Sequence, residues 1–450
     1  MWQRLLYRSY RALYRLAHWT SRKFTPAGLL ALGGLGLTGM FGLDTNRTMS
    51  YQAFAFLFCL LLVGLVWTLF SRARFSVVRH LPRFATAGQP LAYRIEIRNE
   101  SARVRDGLAI TEEFAEPYPG FHEFVEAPEA RNRAGALLDR LTGLARWRSR
   151  MSQRRPPAVR EQPLPPLPPR GRAEARLEFT PTHRGRLVFT GLNVSRTDPF
   201  GLLRHGTIAA CPQSVLVLPQ RYPVPPLDLP GHRRHQPGGV ALASSVGDSE
   251  EFVSLRDYRP GDPLRRIHWR TWAKTGRPIV KEYQEEYFVR HALVLDTFQG
   301  APAGSVFEAA VSVAASFAAT VHTQETLLDL MFVGTEAYCF TSGRGLGQTD
   351  RMLEILASVR VCREKPFDSL LPLILARVAL LSSCICVLLN WDQSRRELVR
   401  QLTGLGLPVK ILVILPADAS GDLDPGPLEG RPRDLLALKV GRIEEGLAGL

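Results

Sequence analysis

At 450 residues the chain is too long for one ordinary core, and roughly 100–200 residues per domain divides it into about two to four units. A content of 45% apolar and 22% charged residues excludes a chain that is disordered throughout. The 57 Lys and Arg against 42 Asp and Glu leave a formal charge of +15, which favours anionic partners (lipid headgroups, nucleic acid or an acidic protein face) without choosing among them.

The chain opens with a basic segment in which Arg4, Arg8, Arg11 and Arg15 share one helical face, with Trp2, Leu6, Leu13, Leu16 and Ala17 opposite. That pattern suits a helix on an anionic leaflet, and equally an ordinary charged flank of a membrane span. Residues 27–43 and 51–70 carry no charge, and a span needs about 17–25 apolar residues, so a transmembrane α-hairpin is predicted within residues 1–74. Gly33, Gly34, Gly36 and Gly39 are expected to let its helices approach. A signal peptide is the competing reading, but a second apolar stretch follows after seven residues and no A-x-A-like site is evident. The six Arg and Lys of residues 1–26, with Arg72, Arg74, Arg79 and Arg83 after the second stretch, predict that both ends are cytoplasmic.

Residues 75–220 alternate as short strands: Leu91, Tyr93, Ile95 and Ile97 face one way, and similar runs return from residue 172 onward. A β-sandwich is predicted, with Asp198-Pro199-Phe200-Gly201 as a tight turn. An insertion at 115–170 interrupts it. There Leu137, Leu141, Leu144 and Trp147 suggest a basic amphipathic helix, and seven prolines between 156 and 170 an extended linker. A second Pro- and Gly-rich linker, 221–246, leads to the last unit. The six cysteines are scattered and read as small buried hydrophobes, with no disulfide and no zinc site expected.

"RDYRPGDPLRRIHWRTWAKTGRP", residues 256–278, packs seven Arg and Lys around two carboxylates. Asp262 is expected to cap a helix starting at Pro263 and running to about Lys274, with Gly276 stopping it in the left-handed conformation. Leu264, Ile267, His268 and Thr271 would form its inner face. One His without spaced partners makes no ligand set, and interleaved aromatics and Arg are more often core and ion-pairing groups than a nucleic-acid grip. From residue 291 strands and helices alternate, and the near-continuous apolar strands imply a parallel sheet covered on both faces. Asp296 and Asp392 fall at the carboxyl ends of two such strands, where ligands sit in folds of this kind.

The ordered series Arg184-Gly185, Asp198-Pro199-Phe200-Gly201-Leu202, Glu251-Phe252, Leu255-Arg256, Tyr258, Gly261-Asp262, Arg265, Ile267, Trp269, Ala273, Val280 and Glu282 resembles the family known as domain of unknown function 58. The resemblance implies an inner-membrane-anchored bacterial protein of multidomain fold: hairpin, β-sandwich, then an α/β, Rossmann-like unit similar to a von Willebrand factor A domain, here 247–420, with 421–450 as a tail. It also implies a MoxR-type AAA+ ATPase, and a transglutaminase-like membrane protein, as partners. An A-domain holds Mg²⁺ through Asp-x-Ser-x-Ser, whereas this strand ends Asp296-Thr297-Phe298-Gln299-Gly300. Both serines are missing. The expectation is therefore no resident cofactor, with a degenerate Mg²⁺ site at Asp296 and Asp392, joined by Thr349, as the alternative.

The function expected is that of a cytoplasm-facing, membrane-anchored adaptor, not an enzyme, and no nucleic-acid partner is expected. Its interaction residues are Glu251, Phe252, Arg256, Tyr258, Gly261, Asp262, Arg265, Arg266, Trp269 and Arg270. Arg256, Arg259, Arg265, Arg266 and Arg270 are expected to divide between internal pairs and exposed positions. The alternatives are a metal-dependent or acid–base enzyme using Asp296, Asp392 and His268, and a nucleic-acid binder.

Overall fold

The computed structural model describes residues 2–42, 48–70, 73–115, 118–125, 143–144, 147–148, 151–152, 157–225, 234–235, 252–262, 264, 267–283, 287–299, 304–320, 326–343, 346–419 and 423–450. They form two units, Met1–Leu218 and Pro219–Leu450.

The first unit begins with helices α1 (Trp2–Lys23), α2 (Pro26–Gly42) and α3 (Thr48–Phe70). Within α3, Met49–Thr68 is long and apolar enough to cross a membrane. The 17 residues of α2 rise only about 25 Å, short of a hydrocarbon core of about 30 Å. The two helices pack antiparallel. A Cβ added to Gly34 or Gly39 would lie 3.4 Å from Leu57 and 3.2 Å from Phe54, whereas one on Gly33 or Gly36 would meet nothing within 4 Å. Two of the four predicted contact glycines therefore point away from α3. The 3.6-residue period separates them from the contact stripe.

The β-sandwich follows. Strands β1 (Phe75–His80), β2 (Phe84–Thr86), β3 (Leu91–Asn99) and β4 (Leu108–Phe114) precede the short helix α4 (Phe121–Val125), and β5 (Gln162–Pro163), β6 (Arg172–Phe179), β7 (Gly185–Thr197) and β8 (Arg204–Leu218) come after it. One sheet has the order β1-β3-β6 and the other β2-β8-β7-β4-β5. Alternation in β3 buries Leu91, Tyr93, Ile95 and Ile97 against Ile110, Phe189, Leu192 and Val217 of the other sheet. Arg79 and Glu112 form a fully buried fork, with distances of 3.1 and 2.7 Å, and the Tyr93 hydroxyl donates to the same carboxylate at 2.6 Å. Burial pushes the Glu112 carboxyl upward, against the pull of Arg79 and Tyr93.

Much of the predicted insertion helix lies outside the described residues, but Trp147 is buried and meets Tyr7 and Tyr10 of α1 at centroid distances of 6.0 and 5.6 Å. The proline run is not a free linker. It adds β5 to an edge of the second sheet and buries Leu164 and Leu167, because an edge position needs few of the amide donors that proline lacks.

The turn between β7 and β8 ties the sandwich to the helices. Asp198 Oδ1 accepts from the amides of Leu202 (2.6 Å) and Leu203 (3.1 Å), and Gly201 takes φ 68°. Thr25 then donates its amide to the Leu202 carbonyl at 3.0 Å and its hydroxyl to that of Gly201 at 2.6 Å. A Cβ on Gly28 would sit 2.0 Å from the Leu202 carbonyl oxygen, and one on Gly64 would sit 2.6 Å from Asp198 Oδ2.

The second unit contains β9 (Arg234–His235), β10 (Phe252–Asp257), α5 (Trp269–Thr275), β11 (Ile279–Tyr283), β12 (Tyr287–Leu295), α6 (Ser305–Thr320), β13 (Thr326–Val333), β14 (Ala337–Ser342), α7 (Leu346–Ser358), α8 (Leu370–Leu375), β15 (Ser383–Leu388), α9 (Gln393–Gly404), β16 (Val409–Leu415), β17 (Leu435–Lys439) and α10 (Ile443–Leu447). Its main sheet runs β14-β13-β12-β15-β16-β17, parallel except for β14, with β9 antiparallel to β12. The central strands are buried on both faces; all six residues of β15 are. Between α7 and β15 the helical segment is broken into α8 and flanking 3-10 turns. Pro372 lies within the first turn of α8, where its missing amide proton costs little. The segment expected as a tail, 421–450, instead extends the sheet through β17, and Ile443 and Leu447 of α10 are buried.

The close approach at residue 28 gives a paired expectation. Gly28→Ala forces the chain apart at the Leu202 carbonyl and should destabilise the detergent-solubilised protein by about 1–3 kcal/mol. Gly36→Ala, in open space, should be neutral or stabilising by about 0.5–1 kcal/mol through helix propensity. Thermal unfolding of both variants checks the opposite signs.

Candidate interaction surface

Strands β10 and β11 pair antiparallel, Arg256 opposite Val280 and Asp257 opposite Ile279, and the signature segment loops between them. Arg256 grips Asp262 with both arms of its guanidinium, each at 2.8 Å. Asp262 also accepts the Arg259 amide at 2.9 Å and returns its own amide to the Arg259 carbonyl at 3.0 Å, while Gly261 takes φ 108°. The Arg256 hydrogen bond, helped by that amide, holds the Asp262 carboxyl down to about 2. Tyr258 donates its amide to the Pro278 carbonyl at 2.9 Å, and Phe252 opens β10 opposite Tyr283. Glu251, Arg265 and Arg266 lie outside the described residues.

The helix here is shorter than expected. Ile267 forms a bridge to Val280 and the His268 amide donates to the Ile279 carbonyl at 2.8 Å, so these two residues pair with β11 and α5 begins only at Trp269. Asp262 does not cap it; its carboxylate is taken by Arg256 and the turn. The stop is as predicted: Gly276 takes φ 67° and its amide donates to the Trp272 carbonyl. Of the expected inner face only Ile267 is buried. Leu264 is 67% exposed, and the half-buried His268 has its Nδ1 2.5 Å from Thr271 Oγ1.

Helix α5 buries no side chain. Trp269, 62% exposed, stacks on Trp272 with centroids 5.1 Å apart and planes at 20°, and Arg270, Lys274 and Arg277 are exposed in the same segment. Two indoles held together on a water-facing helix amid cationic side chains have the composition of a protein-interaction hot spot.

The other predicted site lies in the main sheet. Numbered by chain order from β12, the strands run 3-2-1-4-5-6, so the topological switch point falls between β12 and β15. Asp296 follows the first of these strands and Asp392 the second, and the structure brings both onto one group, the guanidinium of Arg395. Arg395 Nε donates to Asp296 Oδ2 at 2.8 Å, Nη1 to Asp392 Oδ2 at 2.5 Å and Nη2 to the Phe298 carbonyl at 2.9 Å, with the Phe367 ring 4.5 Å away. Asp296 also accepts the amides of Phe298 and Leu389, and Asp392 caps α9 through the Arg395 amide. Burial pushes the Asp296 carboxyl upward, against the pull of Arg395 and those two amides. The expected carboxylate pair thus exists, but it converges on a cation belonging to the chain, and among the described residues no three His, Cys, Asp or Glu cluster as a metal site. His268 does not join it; its side chain is engaged with Thr271. Thr349 lies on α7, its hydroxyl buried and without a partner among the described residues. Sequence reading missed Arg395, although an Arg three residues after a helix-capping Asp is a visible i,i+3 pair.

Residues 254–369 match the family model described as "Protein of unknown function DUF58". The DUF58 match therefore covers β10 from Ser254 onward, α5, β11 and the first half of the α/β sheet, and it excludes Glu251, Phe252, Asp392 and Arg395. "Uncharacterized protein YeaD" of Bacillus subtilis (strain 168) is 27% identical over 184 residues, 40% of this chain and 44% of that protein, so the match spans less than half the length of this curated relative. Among solved structures, the CARDB domain of PF1109 from Pyrococcus furiosus is 9% identical with a TM-score of 0.17, covering 32% of this chain and 94% of that one. The ASH/PapD-like domain of human CEP192 is 10% identical with a TM-score of 0.15, covering 32% and 85%. Neither likeness bears on fold or activity.

Two expectations follow from the charge networks. Arg395→Met strands the buried Asp296 carboxylate and should cost about 3–5 kcal/mol of stability in urea denaturation, with part recovered in the Arg395→Met/Asp296→Asn double variant. Asp262, with its folded value lowered from 3.8 to about 2, contributes stability that is complete above pH 3.8 and lost as pH falls through about 2. A carboxyl NMR titration of Asp-labelled protein should place its midpoint near 2, and Arg256→Gln should return it toward the ordinary value.

Proposed function

We propose that this protein is a membrane-associated docking protein whose DUF58 segment receives an acidic face of a partner protein. The observation that carries the reading is the exposed Trp269–Trp272 stack among Arg270, Lys274 and Arg277, built on a turn that the Arg256–Asp262 fork makes rigid. Aromatic rings anchor an interface, while surrounding charge sets encounter rate and partner choice. A MoxR-type AAA+ ATPase is the partner proposed, with a transglutaminase-like membrane protein as a further member of the assembly.

The membrane part of the reading rests on α3, with α2 as a second, tilted or thinned span. Basic residues flank both helices, which favours cytoplasmic placement of both units at a bacterial inner membrane. Arg79, sealed against Glu112, leaves Arg72, Arg74 and Arg83 for this role on the distal side. The strand order 3-2-1-4-5-6 supports an A-like assignment of the second unit. Docking rather than turnover is assigned to it because Arg395 holds both carboxylates at the switch point and His268 is engaged elsewhere.

Detergent co-purification from the native host tests the proposal. The wild-type chain should enrich an AAA+ ATPase, and Trp269→Ala/Trp272→Ala should weaken that association about 30-fold or more, with thermal stability little changed. Absence of any ATPase from the wild-type sample defeats the partner assignment. Retention on DNA that falls steeply with salt and with Arg270→Gln would replace it with a nucleic-acid role.

A further inference from the structure

Helix α1 has three distinct edges. Tyr7 packs on Phe121, Phe124 and Trp147 at 5.7–6.0 Å, Tyr10 joins Trp147, and the Tyr7 hydroxyl donates to the Pro119 carbonyl at 2.9 Å. That edge is docked on the protein. A second edge carries Arg4, Arg8, Arg11, Arg15 and Arg22. The third carries Trp2, Leu5, Leu13, Leu16 and Trp19, each more than half exposed. At about 100° per residue these five fall within an arc of about 120°. A water-facing stripe of that composition is a liability unless something apolar covers it.

The occupant is indicated by what adjoins it. Helix α1 ends at Lys23, two residues before the apolar α2, and its carboxyl end borders an open cleft of about 590 Å³. Trp19, Arg22, Lys23, Arg74, Asn193 and His205 line it, Arg74 standing just beyond the end of α3. The cleft thus opens where the chain enters and leaves its apolar helices. Arg22 is partly offset by Glu113 at 3.2 Å, and Lys23 and Arg74 add two further cationic groups. Asn193 is 8% exposed, and its Oδ1 is buried with no hydrogen-bond partner among the described residues. The cleft therefore offers cations for a phosphate.

We propose that α1 lies in the membrane interface with its Leu/Trp stripe in the acyl boundary, and that this cleft holds the headgroup of an anionic phospholipid, such as phosphatidylglycerol. Lys23, Arg74 and Arg22 take the phosphate. The amphipathic stripe and the basic rim match an anionic leaflet in both apolar and charge terms, and they continue directly into α2. The inference rests on the membrane association proposed above.

The experiment is native mass spectrometry of the full chain released from nanodiscs of equal phosphatidylcholine and phosphatidylglycerol. The wild type should retain phosphatidylglycerol preferentially, and Lys23→Gln/Arg74→Gln should reduce that preference about 30-fold at unchanged thermal stability. Leu13→Gln/Leu16→Gln should lower retention of both lipids. Inorganic phosphate should not displace the lipid; displacement would mean that the cleft holds free phosphate and would overturn the assignment. Equal retention of the two lipids by the wild type overturns it as well. Carbonate extraction separates the two levels: a chain that stays in the pellet yet shows no lipid preference loses only the cleft assignment, whereas a chain released by carbonate loses the membrane reading itself.

Discussion

The carbonyl oxygen of Leu202 occupies the space that any side chain at position 28 would need. The junction of α2 with the sandwich is built on that contact. The turn holding the carbonyl is fixed by Asp198 accepting two successive amides, and Thr25 fastens the other side with an amide and a hydroxyl. A β-sandwich and two apolar helices are thereby joined through backbone atoms rather than through a flexible tether. Gly64 of α3 approaches the same turn, here against the side chains of Asp198 and Leu203, so both apolar helices touch the same corner. Small residues here permit van der Waals approach of backbone to backbone, which is the packing force that remains where hydrophobic burial is weak.

The second unit solves a different problem. A doubly wound sheet leaves a crevice at its switch point, and two carboxylates stand there without the hydroxyls that would complete an octahedral oxygen cage. Arg395 engages both carboxylates instead, at the expense of any ligand that needs the two. A guanidinium in three hydrogen bonds and against an aromatic ring is a permanent occupant, since it cannot be deprotonated or diffuse away.

Much of this was legible in the residue pattern. Period-two alternation located β1, β3, β6, β7 and the last third of β8, and continuous apolar runs located β12, β13, β15 and β16, because burial on one or both faces writes itself directly into hydropathy. The Asp198 turn and the Gly276 stop were legible because each depends on a conformation that few residue types adopt. What escaped depends on distant partners. Asp262 followed by Pro263 has the local signature of a helix start, but the long-range bridge of Ile267 to Val280 and the grip of Arg256 override it. The proline run looked like a linker because nothing local reports that Leu164 and Leu167 are buried against the sandwich. Segment 421–450 looked like a tail because β17 is short and gains its stability from pairing with β16. For Arg395 only the local pair with Asp392 was legible; its contact with Asp296, 99 residues earlier in the chain, exists only once the sheet closes.

Two indole rings stacked nearly parallel at 5.1 Å are also a coupled chromophore. Their excited states mix, so the pair contributes an optical band to circular dichroism that isolated tryptophans lack, with a sign set by the handedness of the stack. A ligand that wedges between or tilts the rings alters that band without any added label. The surface proposed for docking therefore carries its own spectroscopic reporter, sensitive to geometry at the place where a partner would arrive.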